Sequence, residues 1–485
     1  MPSTPSKLVF KTKPRPYQVP ALKKMVKNGG GGLYVPMRWG KSWIAINWAA
    51  AMALKNFPNQ ITRILIVCPN DVKAEWEEQL EWHCPLPYRL LAQPTTALVK
   101  NPKQKTELHF HIRNYEAMYA RERDLLDFEA SETNRSWTAV TDKALLVWQP
   151  HLMVVDEVHH IGKPTTKQSA KVCQVARTSH HRLMLTGAPF HRKPFFIFGQ
   201  FKYYDPGIFG GNWGTFKRHI AVFGGYGGYE VKKYRNLGWV RKKVRPHVWI
   251  SRKVPLAPPV RRRILFSLEE SKYIYQEMEN ESVVQLRDTF AVADIVLTRH
   301  LRLQQIAGGW VRTQDGKLVR VGQEKRKAFA RRVDEYREQE IARFVVGARF
   351  LKEMVDIYEV VKAAGYKPLI VHGGVTPKRR KEKRNYFAKH ENTVFISQFR
   401  ASREGIDLSV ADTMVFYSLP EDYLTYDQFA HRIDRFEDKR TLLYEHMIAK
   451  GTRDEVTFEA LQRQQDVAAF LMTHPKYVEA ITSNL

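Results

Sequence analysis

Short apolar, β-branched runs, separated by longer amphipathic stretches, restrict this chain more than any other feature. They stand at 64–68 (I-L-I-V-C), 152–155 (L-M-V-V), 183–186 (L-M-L-T), 393–397 (T-V-F-I-S) and 414–418 (M-V-F-Y-S). A strand that reads as an unbroken apolar run is buried on both faces, which is the situation of a parallel sheet covered by helices. Parallel neighbours need long crossovers, and the amphipathic stretches supply them. The runs fall in two blocks, so the expectation is an α/β protein with two parallel-sheet lobes at 14–200 and 336–470. Between them, 201–335 changes character: glycines and aromatics punctuate its first part, and Leu, Ile and Val at helical spacing mark 268–305, so a basic, helical insertion or linker is expected there. A chain of 485 residues is long enough for this organisation.

Charge narrows the partners. The chain carries 78 Lys and Arg against 50 Asp and Glu, a formal charge of +28. A surplus of that size points to a polyanion, because each cation set against a phosphate releases condensed counterions; the alternative is a merely basic protein. From Val231 to Arg263 there are twelve Lys or Arg and no acid, with Tyr234, Trp239 and Trp249 interleaved. Lys232, Lys233, Arg241, Lys242 and Lys243 are the candidate nucleic-acid contacts in this block, set against the ordinary solvated face that a charge run more often is. Three cysteines, Cys68, Cys84 and Cys173, have no paired spacing, which argues against a disulfide framework or a zinc cluster and for a reducing compartment. No signal-like N-terminus and no membrane-length apolar run are present, so a soluble, cytoplasmic protein without a membrane partner is expected.

The chemistry is carried by two short stretches. Residues 35–44 read V-P-M-R-W-G-K-S-W-I. A phosphate-binding loop, G-x-x-x-x-G-K-[ST], needs backbone N–H groups aimed at the phosphates, a Lys to reach them, a hydroxyl for Mg²⁺ and a helix N-terminus behind. Gly40, Lys41 and Ser42 supply the end of that pattern, and Val35 stands where its first glycine belongs. At 152–160, L-M-V-V-D-E-V-H-H ends an apolar strand in two carboxylates. Ligands of open parallel sheets bind beyond the carboxyl ends of the strands, where Asp156 and Glu157 are expected. Alternation along the chain points the two differently, one able to hold Mg²⁺ and the other free to polarise a water.

V-V-D-E-V-H-H resembles the D-E-x-H box of superfamily two helicases and translocases, and other stretches fall in that family's order. P14-R-P-Y-Q18 is similar to the opening motif whose Gln reads adenine, here Gln18. P69-N-D-V-K-A-E-W76, R113-N-Y-E116 and L185-T-G-A-P189 resemble the next motifs, the last a coupling motif centred on Thr186 and Gly187. H372-G-G374, R400-A-S-R-E-G-I-D407 and Q428-F-A-H-R-I-D-R435 resemble the final three. The Swi/Snf-type double-stranded DNA translocases are the most similar branch, through R-N-Y-E, Y204-D-P-G-I-F209 and A430-H-R-I433.

The resemblance implies two RecA-like lobes of the P-loop NTPase fold with helical insertions between them, and ATP with Mg²⁺ as cofactors. It implies that Lys41 contacts the β- and γ-phosphates, that Ser42 and Asp156 hold Mg²⁺, and that Glu157 orients or deprotonates the attacking water. Gly405 and Asp407 join the nucleotide-binding set, His159 sits near the γ-phosphate, and Arg432 and Arg435 act as arginine fingers. Arg38 and Trp39 depart from the loop pattern. In the final motif the A-H-R-I register makes Arg432 the last arginine and puts Phe429 at the earlier position, whereas Q-x-x-x-R-x-x-R admits both Arg432 and Arg435. The expected function is an ATP-driven motor, a monomer moving on duplex DNA. A strand-separating helicase on forks or single strands, DNA or RNA, and a non-catalytic ATP-binding factor are the alternatives. The economy of the chain suggests a bacterial or viral setting.

Overall fold

The computed structural model describes residues 8–36, 39–94, 105–121, 139–141, 143–187, 194–224, 230–250, 259–281, 283–286, 289–292, 296–402, 406–434 and 440–463. The chain divides into two compact units, Met1–Lys253 and Val254–Leu485.

The first unit is built on a seven-stranded sheet of β1 (Gly31–Tyr34), β2 (Ile61–Cys68), β3 (Tyr88–Leu91), β4 (Glu107–Asn114), β5 (Leu152–Val155), β6 (His181–Thr186) and β7 (Val248–Ile250). Their order is β7-β1-β6-β5-β2-β4-β3, and every neighbouring pair is parallel. β1 and β5 are buried along their whole length, as unbroken apolar runs require. Leu65, Val67, Met153, Val155 and Met184 meet in one core cluster. The helices that bear on the site are α1 (Gln18–Lys27), α2 (Lys41–Asn56), α3 (Lys73–His83) and α4 (Leu237–Val244). α2 is largely buried, an Ala-, Ile- and Trp-rich helix lodged in the core rather than laid over it.

The second unit repeats the plan with β8 (Val260–Phe266), β9 (Arg343–Ala348), β10 (Lys367–Val371), β11 (Thr393–Gln398), β12 (Thr413–Phe416) and β13 (Leu443–Ala449). The order is β8-β13-β12-β9-β11-β10, again parallel throughout. Helices α5 (Glu324–Glu338), α6 (Leu351–Ala363) and α7 (Tyr423–Ala430) belong to it. A buried acid on β13, Glu445, is satisfied by α5: Arg332 donates Nε at 2.7 Å and Nη2 at 2.6 Å, and the Tyr336 hydroxyl donates as well. Removing Arg332 would leave the buried Glu445 charge without its main partner, so this triad holds α5 against the sheet. Two α/β units, each on a parallel sheet, are the architecture that the apolar runs imply.

The segment 201–335 is shared between the units. Ala221–Gly224 and Glu230–Tyr234 form an antiparallel hairpin, and α4 and β7 follow it in the first unit, whereas β8 opens the second. The basic block is divided accordingly, with Arg261, Arg262 and Arg263 exposed on β8. Three consecutive arginines read as a charge run rather than a strand, and β8 tolerates them because it stands at the end of its sheet. No helix among the described residues is long and apolar enough to cross a membrane.

Candidate nucleotide site

β1 runs directly into the loop. Val35 is buried, and its N–H donates to the carbonyl of Thr186 at 3.1 Å, which continues the ladder between β1 and β6. Its φ is not positive, so this position makes no demand for the glycine of the usual pattern. Gly40 does make that demand. It precedes α2 with φ +76°, and an added Cβ would meet Gln18 Nε2 at 2.4 Å. Gln18 is buried at the start of α1, where its Oε1 accepts from Arg15 N–H at 2.7 Å and its Nε2 donates to the Gly40 carbonyl at 3.1 Å. The opening motif is thus fastened to the loop. Gly40→Ala combines a left-handed strain of about 1–2 kcal/mol with displacement of Gln18, so nucleotide affinity is expected to fall about tenfold or more, read by equilibrium binding of a fluorescent ATP analogue.

Lys41 is the first residue of α2. Its Nζ donates to the Val35 carbonyl at 3.2 Å and lies 3.9 Å from Glu157 Oε1. Ser42 follows in the first turn of the same helix. Trp39 is buried, its ring 5.5 Å from that of Tyr17, while Arg38 lies outside the described residues.

Asp156 and Glu157 follow β5 at its carboxyl end, where the sheet rule puts them. Asp156 N–H donates to the Val67 carbonyl at 2.8 Å, and Glu157 then turns into the left-handed region with φ +48°. That turn is uncommon for a residue with a side chain and marks a site held by its surroundings. Glu157 Oε2 accepts from the Thr186 hydroxyl at 3.3 Å and lies 3.2 Å from His159 Nδ1, itself 3.1 Å from the same hydroxyl. Lys41, Glu157, His159 and Thr186 therefore form one largely buried cluster at the start of α2 and the carboxyl ends of β5 and β6. Gly187 follows Thr186 at the surface.

Burial pushes the Asp156 carboxyl up to about 7, with the neighbouring Glu157 charge adding to it while Lys41 and the Trp76 N–H work the other way. Burial also acts to raise Glu157, but Lys41 and the hydrogen bond from His159 prevail and hold it well below the usual carboxylate range. Glu157 is the settled anion of the pair, and the donors around Asp156 compensate its charge less than its burial demands. That deficit, together with the Ser42 hydroxyl at the helix start, fits a Mg²⁺–nucleotide. Among the described residues no cluster of three or more His, Cys, Asp or Glu could hold a metal by itself.

Two residues took no role from their motifs at the level of sequence. Trp76 Nε1 donates to Asp156 Oδ2 at 3.0 Å, and the Tyr115 hydroxyl donates to the Asp156 carbonyl. The only signal was their presence inside P-N-D-V-K-A-E-W and R-N-Y-E.

In the second unit, Arg432 is buried just beyond α7, and its carbonyl accepts from Leu408 N–H at 3.1 Å. This bond ties the last motif to the residue that directly follows the one before it. Asp407 is exposed, and its carboxylate accepts from Ser409 N–H at 2.9 Å. Gly405 and Arg435 lie outside the described residues.

Lys232 and Lys233 stand on the hairpin strand and Arg241, Lys242 and Lys243 on α4, all exposed in the first unit. The aromatics between them turn inward: Tyr234 and Trp239 pack on the core cluster, so they anchor the basic surface rather than extend it.

Residues 24–306, more than half of the chain, match the SNF2-related domain. The chain belongs to the SNF2-related family. Residues 324–437 match the helicase conserved C-terminal domain. Membership implies use of ATP. Among curated proteins the chain is similar to the DNA annealing helicase and endonuclease ZRANB3 of Homo sapiens, 21% identical over 435 residues, and to that of Mus musculus, 23% identical over 438 residues. Each match covers 86% of this chain and 37% of the relative, so the SNF2-related chain spans well under half the length of these proteins. Among solved structures, the Sulfolobus solfataricus SWI2/SNF2 ATPase core in complex with dsDNA is 19% identical, with a TM-score of 0.41 over 99% of this chain and 97% of that one.

Proposed function

We propose that this SNF2-related chain is an ATP-hydrolysing motor that moves on DNA, with duplex as its track. The observation that carries the reading is the cluster in which Lys41, at the start of α2, stands 3.9 Å from Glu157, whose N–H donates to the Asp156 carboxylate beside it. A helix start with a Lys binds phosphate, and a settled carboxylate next to it can act on a water.

In this reading Lys41 binds the β- and γ-phosphates, and Gln18, locked to Gly40, recognises the base. Thr186 and His159 hold one oxygen of Glu157, which leaves the carboxylate turned toward the water that it orients or deprotonates. When bound by Asp156 and Ser42, Mg²⁺ would neutralise charge on the phosphates. Arg432 supplies the cation that stabilises the γ-phosphoryl as its charge spreads. Thr186, which bonds Glu157 directly, is the residue through which nucleic-acid contact would bear on catalysis.

The test is steady-state ATP hydrolysis alone, with duplex and with single-stranded DNA. Strong stimulation by duplex is expected. Stimulation by single strands only, accompanied by opening of a fork, would replace translocation with strand separation.

The exposed cations of the first unit give a second expectation. Changing Lys232, Lys233, Arg241, Lys242 and Lys243 together to Gln should abolish DNA stimulation while basal hydrolysis persists. It should also flatten the dependence of log affinity on log salt by about 0.9 for each phosphate left without its cation. Unaltered stimulation would dismiss this surface as a DNA contact.

A further inference from the structure

Two buried aromatic donors converge on the Asp156–Glu157 pair from segments for which the nucleotide chemistry above has no use. Trp76 on α3 is 1% exposed and donates Nε1–H to Asp156 Oδ2 at 3.0 Å. The other carboxylate oxygen, Oδ1, accepts Glu157 N–H at 2.9 Å. Each oxygen thus has one fixed donor, which sets the carboxylate plane and leaves its remaining lone pairs for a cation. Tyr115, just past β4 and also 1% exposed, donates its hydroxyl to the Asp156 carbonyl and lies 3.1 Å from the carbonyl of Glu157. Those two carbonyls bracket the left-handed turn at Glu157, whose φ of +48° needs such support.

The two aromatics also share a surface link. Asn114 Nδ2 donates to Asn70 Oδ1 at 3.2 Å, and Asn114 Oδ1 accepts Ala117 N–H at 3.1 Å, so the loops at the carboxyl ends of β2 and β4 are joined above them. Asn70, Lys73, Ala74 and Glu116 are exposed there. A buried indole and a buried phenol usually have a hydrogen-bond partner, which any nearby backbone carbonyl can supply. Both donors end on the two residues that the chemistry requires.

We propose that Trp76 and Tyr115 are positioning residues for the hydrolytic reaction: the indole N–H orients Asp156 toward the cation, and the phenol holds the turn that aims Glu157 at the water. The inference rests on the nucleotide reading above. If the aromatics served only to fill the core, the polar atoms would be dispensable wherever the fold survives.

Tyr115→Phe removes one oxygen and keeps the ring, and Trp76→Phe removes the N–H with some loss of volume. For Trp76→Phe, the Mg²⁺ concentration that half-saturates Mg²⁺-dependent binding of a fluorescent ATP analogue should rise about 10- to 100-fold, with binding in EDTA unchanged. For Tyr115→Phe, kcat should fall about tenfold at constant KM for ATP and an unchanged Mg²⁺ midpoint. A purely structural role would lower the thermal midpoint and the active fraction without moving either ratio. Wild-type Mg²⁺ midpoint in the first variant and wild-type kcat in the second would overturn the proposal while leaving the motor reading intact. A wild-type chain that binds Mg²⁺–nucleotide but never hydrolyses it would refute the motor, and the Trp76 arm would still decide the orientation of Asp156. A wild-type chain that binds no nucleotide would overturn both.

Discussion

Glu157→Gln lowers ATP turnover by about 10²- to 10⁴-fold, the range expected when a general base or water-orienting carboxylate is lost. The substitution keeps shape and an acceptor, so Thr186 can still donate its hydroxyl to the side chain that replaces the acid. What is lost is the charge, and the charge is what the site has arranged. Burial alone would neutralise Glu157, yet Lys41 and His159 hold it ionised. Nucleotide affinity should change little, because Lys41 keeps its place between the Val35 carbonyl and the phosphates. The thermal midpoint should also stay near that of the unaltered chain. Steady-state hydrolysis alongside equilibrium binding of the nucleotide checks both halves. Turnover within about tenfold of the unaltered chain would assign the chemistry to another base, since so small a loss falls below what a positioned carboxylate contributes.

The parts of this site legible in the sequence were those fixed by local rules. The D-E pair followed an apolar run, and the end of a parallel strand is where ligands bind, so Asp156 and Glu157 could be placed before any contact was known. Gly40 could be singled out because a glycine before a Lys at a helix start serves a backbone need, seen here as φ +76°. Trp76 and Tyr115 were legible only as letters in motifs, because their partners lie 80 and 41 residues along the chain and no local periodicity encodes such a bond. The organisation of 201–335 escaped for a different reason. β7 is three residues long and β8 carries three arginines, so neither gives the apolar signature that revealed the other strands. Composition then merged into one basic block what the fold assigns to two units. Of the aromatics interleaved with the cations in that block, Tyr234 and Trp239 are committed to the core.

Arg432→Ala should cost at least about 10³-fold in kcat, the magnitude associated with an arginine finger, and it decides between two registers of the last motif. In the A-H-R-I register the earlier finger position is Phe429, and the fold leaves no ambiguity about that residue. It is fully buried, 5.1 Å from the ring of Phe399 and 5.7 Å from that of Phe416, and its ring atoms would meet a Cβ added at Gly347 at 2.5 and 2.9 Å. Phe429 is a core residue, and the glycine opposite makes room for it. The turn after α7, where Arg432 stands, is instead braced by charge. His431 stands between Asp427, 3.3 Å from its Nε2, and Asp434, which pairs with its Nδ1. Burial would strip the proton from that imidazole, but the two carboxylates outweigh it and push the pKa up to about 9, so the bridge stays charged through neutral pH. Arg432 leaves this braced turn with its own carbonyl fixed by Leu408. Arg432→Lys keeps a charge without the planar fork and should recover only a small part of the rate. Arg435→Ala is the control: a loss smaller than that of Arg432→Ala supports a single principal finger in the A-H-R-I register, and a larger one assigns the finger to Arg435.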